Sequence, residues 1–232
     1  VDFIRVEPCG NVSAKDMQKL GFKKAHDFQP ADTLITDISG SHEEILATLS
    51  QTARRYARKA TKAGVTYTAS YDPEDVKYFL DTIHDVHNRT GMKPFSDDYY
   101  QTLAAALFPD KSAGLLLAWL DGKVIASILF LKTKDVFSYA YAGNLAQYRS
   151  ASPAVGLGQF ALLYAHDEGC KEFDWHGVAP ENAPPNHAWM GFTQFKLSFG
   201  GKRVSTIGTW ELPLNKPKHL LYSALLKLTG KS

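Results

Sequence analysis

One lysine in this sequence stands among aromatic residues in a way that suits chemistry at a carbonyl group. The run Gly191-Phe192-Thr193-Gln194-Phe195-Lys196-Leu197-Ser198-Phe199-Gly200-Gly201 reads as a helix that ends on its paired glycines. Lys196 lies beside Phe192, Phe195 and Phe199, so its ammonium is expected in an apolar, poorly solvated place. A positive charge there acts strongly on the negative charge that develops on a carbonyl oxygen under attack. The plainer alternative is a lysine that snorkels from an aromatic core face to water.

Other residues invite the same question. Tyr139 and Tyr141 flank Ala140 in a strand-like run, and period-two alternation predicts both hydroxyls on one side, where they can bind substrate. Half-buried strand tyrosines are the alternative. Arg54, Arg58 and Lys62 recur at i, i+4 spacing, with Arg55 and Lys59 beside them and Tyr56 interleaved. Such a stripe can neutralise several phosphates, or it is a solvated helix face. Asp174 and His176 precede Gly177 at an expected strand end that opens on a cleft. Histidine titrates near neutral pH, although a lone histidine is more often structural. No Gly-x-Ser-x-Gly elbow accompanies this pair, which argues against a nucleophilic triad. Cys9 and Cys170 are far apart in sequence and form no Cys/His cluster, which argues against a zinc site or a disulfide framework.

The elements that must position these residues are legible in order. A strand over 1–6, a short helix over 13–20 and a strand over 33–38 lead to Ser41-His42-Glu43-Glu44, a capping box that predicts one helix to about Ala63. Gly64 ends that helix and a strand follows over 65–69. Next come helices over 73–89 and 96–108 and strands over 115–120, 124–131 and 136–142, with Asp121-Gly122 as a hairpin turn. A helix over 154–168, a strand over 172–175, a helix from about Asn186 to Phe199 and a strand over 203–207 complete the run. Pro213 and Pro217 are read as bracketing a loop before a last helix over 220–228. From residue 65 to 214 the order is β-α-α-β-β-β-α-β-α-β, an α/β (α+β) arrangement that matches the GNAT acyltransferase fold.

Composition bounds the reading without deciding it. The 232 residues are 44% hydrophobic and 22% charged, enough for a large core without disulfides or a structural metal. A net charge of +2 is too small to imply nucleic-acid binding by itself. No apolar run is long enough for a membrane span and no leader pattern is present, so a cytoplasmic location is expected. The chain opens directly on strand-like residues without an initiating Met, from which missing upstream sequence is expected.

Three stretches together resemble the FemABX family, whose members are built from two GNAT-like domains. The first is Gln29-Pro30 and Thr33-Leu34-Ile35-Thr36-Asp37-Ile38, followed by the basic helix that runs into Lys62-Ala63-Gly64-Val65. The second is Tyr139-Ala140-Tyr141-Ala142-Gly143. The third is Phe173-Asp174-Trp175-His176-Gly177-Val178 with the aromatic-lysine run after it. The resemblance implies transfer of an amino acid from aminoacyl-tRNA to the stem-peptide amine of a peptidoglycan precursor, either UDP-MurNAc-pentapeptide or its lipid-linked form. It implies no cofactor. It implies a catalytic Lys196, with Phe195 beside it at the acceptor end and Tyr139 and Tyr141 in the cleft. It also implies an Arg and a Tyr at the UDP-sugar end, for which Arg89 and Tyr100 are the candidates. The acceptor tRNA stem or a precursor diphosphate would then be what Arg54, Arg58 and Lys62 bind. Residues 1–64 are expected to be the C-terminal part of a first GNAT-like domain with its basic connecting helix. Residues 65–214 would form a complete second domain, and 215–232 a C-terminal helix.

Two rival readings share the fold. An acyl-CoA N-acyltransferase needs a glycine-rich loop that presents backbone N–H groups to a pyrophosphate. The matching stretch is Pro153-Ala154-Val155-Gly156-Leu157-Gly158, where Gly156 and Gly158 fit but Pro153 contributes no N–H. A non-catalytic binder of tRNA or muropeptide would leave Lys196 without a role.

Overall fold

The computed structural model describes residues 1–228. Its centre is a seven-stranded sheet in the order β4 (Thr66–Ser70), β5 (Ala113–Leu120), β6 (Lys123–Lys132), β7 (Val136–Asn144), β8 (Glu172–Gly177), β3 (Asp32–Asp37), β9 (Lys202–Ser205). The middle strands read as near-continuous apolar runs because both faces are covered. Leu116, Ile128 and Phe130 face the core under α3 (Gln51–Lys62), α6 (Pro153–Asp167) and α7 (Met190–Leu197), together with Leu157, Leu162, Trp175 and Phe199. Leu115, Leu117 and Leu129 face a second core under α4 (Val76–Thr90) and α5 (Asp97–Leu107), with Phe79, Ile83 and Phe108. The Asp121-Gly122 turn has positive φ at both residues, 50° and 74°, as a two-residue hairpin requires.

All neighbours in this sheet are antiparallel except β7 and β8. Their parallel ladder joins only Val136, Phe137 and Ser138 to Glu172, Phe173 and Asp174. Beyond those three pairs β7 stays with β6 and β8 stays with β3, so the two strands part and leave a cleft between their C-terminal ends.

Several expectations need correction. The single helix expected after Ser41 is two, α2 (His42–Thr48) and α3. Leu49 is buried with extended backbone, and Ser50 caps the second helix by accepting from the Ala53 N–H at 3.1 Å. The Ser50 N–H donates to the Ser198 carbonyl instead of continuing the first helix. At the other end of the chain, α7 begins at Met190 rather than near Asn186. The proline-rich stretch before it makes separate turns, with His187 N–H on the Pro184 carbonyl and Met190 N–H on the His187 carbonyl. Pro213 does not sit in a loop but ends β10 (Trp210–Pro213). This strand pairs between β1 (Phe3–Val6) and β2 (Lys23–Lys24) in a small second sheet. Pro217 lies in the first turn of α8 (Lys216–Leu228), where its missing N–H costs nothing. The short helix α1 (Ala14–Lys19) carries a capping box of Ser13 and Asp16.

The sheet also crosses the boundary expected at residue 64. β3 inserts between β8 and β9, and Leu34 and Ile38 enter the same core as Trp175 and Phe199. Residues 1–64 are therefore built into the larger sheet through β3, while 229–232 of the expected terminal segment lie outside the described residues. No helix among the described residues is long and apolar enough to cross a membrane.

Candidate active site

Along the C-terminal part of β7, which has parted from β8, a cavity of about 990 Å³ opens. α4 contributes Val86 and Arg89, β6 contributes Ser127 and Ile128, and β7 contributes Tyr139 and Gly143. The turn before α6 adds Arg149, the first turns of α6 add Ala154 and Leu157, and α7 with its approach adds Trp189, Phe192 and Phe195. α4 can lie close over β7 because position 143 is glycine, where a Cβ would stand 2.5 Å from the backbone of Thr82.

Lys196 does not itself line this cavity. Its ammonium sits one layer behind, 5.6 Å from the Tyr139 ring centroid and 5.1 Å from that of Phe192. The residue is 8% exposed, so it is a buried charge rather than a snorkelling one. Nζ donates to the Gly177 carbonyl at 2.7 Å and to the His176 carbonyl at 3.4 Å, which satisfies part of what burial removes. Burial pulls its pKa down to about 8, with Asp174 opposing the shift.

The structure separates the two strand tyrosines. Leu129 pairs with Tyr141 and Phe130 with Tyr139, so Ala140 is an extra residue and β7 is bulged there. Tyr139 points to the α6 and α7 side, against Trp175 at 5.5 Å between centroids, and burial pushes its hydroxyl pKa up. Tyr141 points to the opposite face, its hydroxyl 3.1 Å from that of Tyr99. The expectation that both hydroxyls share a side is therefore wrong by one residue of register. Tyr100 is also misplaced by the sequence reading. It is buried in the second core against Phe79 and Tyr141, and its hydroxyl accepts from the Phe95 N–H.

Arg89 reaches the cavity from the last turn of α4, with Asp85 3.6 Å away. Sequence reasoning missed Arg149, which is exposed, lines the same cavity and has no side-chain partner among the described residues. Its signal was available as a basic residue just ahead of the Pro153 helix start. Arg54, Arg58 and Lys62 are exposed on α3, which packs through Ala53, Ala57 and Ala60, and none of them lines the cavity. Asp174 and His176 do not form a side-chain dyad. Asp174 accepts from the backbone N–H of His176 at 2.7 Å and from the Thr33 hydroxyl, while burial lowers the pKa of the His176 ring.

The stretch Pro153 to Gly158 is a packing device. A Cβ at Gly158 would stand 2.5 Å from the Phe199 ring, and one at Gly156 would collide with the Tyr67 hydroxyl. That hydroxyl is buried without a hydrogen-bond partner among the described residues, and its pKa is pushed up to about 12 by burial.

A sheet whose parallel neighbours splay beside a helix start, with a cavity along the parted end of β7, is the arrangement of the GNAT fold. The sequence model of the family described as acetyltransferase (GNAT) domain matches residues 48–184, more than half of the chain, and the chain belongs to that family. Among curated proteins, lipid II:glycine glycyltransferase of Staphylococcus aureus is 32% identical over 116 residues, 49% of this chain and 27% of that protein. The chain thus spans about a quarter of that relative's length. Among solved structures, FemX superposes with a TM-score of 0.84 at 19% identity, over 95% of this chain and 74% of that one. The structure of L-PGS from Bacillus licheniformis superposes with a TM-score of 0.60 at 14% identity, over 91% and 69%. The resemblance to FemABX proteins holds at the level of the fold.

Proposed function

We propose that this chain is an aminoacyltransferase that moves an amino acid from aminoacyl-tRNA to the stem-peptide amine of a peptidoglycan precursor, UDP-linked or lipid-linked. The observation that carries this reading is the buried Lys196 ammonium, held by two carbonyls behind the aromatic wall of a cavity with two arginines on it. In the reaction the amine nitrogen attacks the ester carbonyl carbon and a C–N bond forms. The bond from that carbon to the ribose oxygen breaks, and the proton lost by the amine ends on the departing tRNA hydroxyl. The carbonyl oxygen carries negative charge in between, and a desolvated ammonium nearby stabilises it. Arg89 and Arg149 suit the phosphates of either substrate. The ester supplies its own driving force, so the reading calls for no cofactor, and its donor places the reaction in the cytoplasm. The named activity of the Staphylococcus aureus relative, transfer of glycine to lipid II, supports the acceptor class. Mass spectrometry of precursor incubated with the chain and a defined aminoacyl-tRNA should show a gain of one residue mass. An unchanged precursor across a panel of aminoacyl-tRNAs would reject the reading.

Acyl-CoA transfer is the second reading that the family membership keeps in play. Against it stand Pro153 at the helix opening and the inward packing of Gly156 and Gly158 on Tyr67 and Phe199. Calorimetric titration with acetyl-CoA should give no saturable heat. A micromolar dissociation constant would favour this second reading instead.

The α3 stripe is the proposed contact for tRNA or a diphosphate. Arg54, Arg58 and Lys62 are exposed, with no acidic residue on their helix. Replacing all three by Gln should weaken tRNA binding and reduce the log–log salt slope by roughly 2–3 units. An unchanged slope would mark the stripe as a solvated face.

A further inference from the structure

Lys196 depends on a kink in β8, and that kink has its own supports. His176 has φ 58°, a left-handed conformation that a histidine keeps only when its surroundings hold it there. Two hydrogen bonds converge on Oδ1 of Asp174 to do so. One comes from the His176 backbone N–H at 2.7 Å, and the other from the Thr33 hydroxyl on the neighbouring strand β3. The β3–β8 ladder shifts register at this point, between Thr33 and Ile35. With the kink in place, the carbonyls of His176 and Gly177 both accept from the Lys196 ammonium.

We propose that Asp174 and Thr33 are positioning residues for Lys196: they hold the His176 kink, and the kink holds the ammonium behind Tyr139 and Phe192. This rests on the reading of Lys196 as the charge that acts at the reacting carbonyl. Asp174 contributes charge as well as geometry, since it opposes the burial that lowers the Lys196 pKa. The remaining groups around the kink do not replace it. Burial lowers the pKa of the His176 ring, Asp174 opposes that shift, Lys196 adds to it and Glu7 opposes it, while burial keeps the Tyr139 hydroxyl protonated.

Two substitutions separate geometry from charge. Asp174→Asn retains an acceptor oxygen for Thr33 and His176 but removes the negative charge, so the Lys196 ammonium should lose its proton at lower pH. Thr33→Val keeps the shape and removes the donor, and Thr33→Ser restores it. The side-chain NMR titration of Lys196 in the full chain reads this independently of transfer. Its midpoint should fall by on the order of one unit in Asp174→Asn. Single-turnover transfer near pH 7.5 should fall about threefold in Asp174→Asn, as the charged fraction of Lys196 drops from about three quarters to about a quarter, and about tenfold in Thr33→Val, with KM for the precursor changed by less than about twofold. Thr33→Ser should recover the parent rate. A Lys196 midpoint and transfer rate unmoved by Asp174→Asn, in protein that unfolds at the parent's temperature, would overturn the proposal. Should the midpoint shift as expected while the parent itself transfers nothing, the positioning stands and the aminoacyltransferase reading falls.

Discussion

Lys196→Met is expected to lower single-turnover transfer by about a hundred- to a thousand-fold, on the scale of losing one oxyanion-stabilising group from an enclosed site, roughly 3–4 kcal/mol, here through the charge it holds behind the cavity wall. The thioether stem retains most of the packing against Tyr139 and Phe192, so the domain should still fold. Precursor binding should suffer less than turnover, because the charge matters most when the carbonyl becomes tetrahedral. Lys196→Arg should not rescue fully. A planar guanidinium cannot occupy the place of a compact ammonium that donates to two adjacent carbonyls. The pH profile adds a sign. Burial brings the Lys196 pKa down to about 8, so the charged fraction shrinks as pH rises through that value. Transfer by the parent should therefore decline on the alkaline side of about pH 8, against the gain expected from a less protonated acceptor amine. Burial of this charge is also a linkage statement about stability. A lysine whose folded pKa lies below its unfolded value destabilises the native state at neutral pH and ceases to do so as pH rises through its unfolded pKa. If the Met variant folds and transfers within about threefold of the parent, less than about 0.7 kcal/mol, Lys196 has no part in the chemistry.

The lysine and its aromatic neighbour Phe192 were legible because both lie within one short run, where i, i+4 spacing brings them together, whereas Phe195 and Phe199 turn to Trp175 and the second ring beside the ammonium, Tyr139, comes from β7. The two serine-led caps at Ser41 and Ser50 show how far such local reading goes. Ser41 announces its helix through the reciprocal Glu44 contact, but Ser50 starts a second helix only because its N–H is taken by Ser198, far away in sequence. The bulge at Ala140 was invisible for a similar reason. No glycine or proline marks it, yet one unpaired residue against β6 sends Tyr141 to the opposite face from Tyr139. Arg149 joined Arg89 at the cavity through the turn before α6, which brings together residues sixty positions apart that share no periodicity. Glycines 156 and 158 were read as candidates for a ligand loop. Their use is set by Tyr67 and Phe199, which the sequence places on other elements altogether.

Trp175→Ala should produce the largest loss of stability, because this side chain joins the sheet to the helix that carries Lys196. The indole is fully buried on β8, stacked on Phe199 at 4.5 Å, 4.6 Å from Phe173, and edge-on to Phe195 at 6.3 Å. Its Nε1–H donates to the Thr36 hydroxyl at 3.0 Å, and that hydroxyl in turn donates to the Gly200 carbonyl. Truncation removes the ring and leaves a cavity between β8, β3 and α7, at a cost of about 3–5 kcal/mol. Against a typical total of about 5–15 kcal/mol, this is a large fraction of the fold's stability. Urea unfolding should show the midpoint falling by more than about 1 M. Trp175→Phe fills much of the space and gives up only the indole hydrogen bond and some area, so it should lose about 1–2 kcal/mol. Transfer should follow the same order, since Tyr139 rests on this indole and Lys196 rests behind Tyr139. An alanine variant that unfolds within about 1 kcal/mol of the parent, well short of the cavity cost, would mean that α7 is held by the turns at its ends instead. The placement of Lys196 would then owe little to the aromatic stack beneath it.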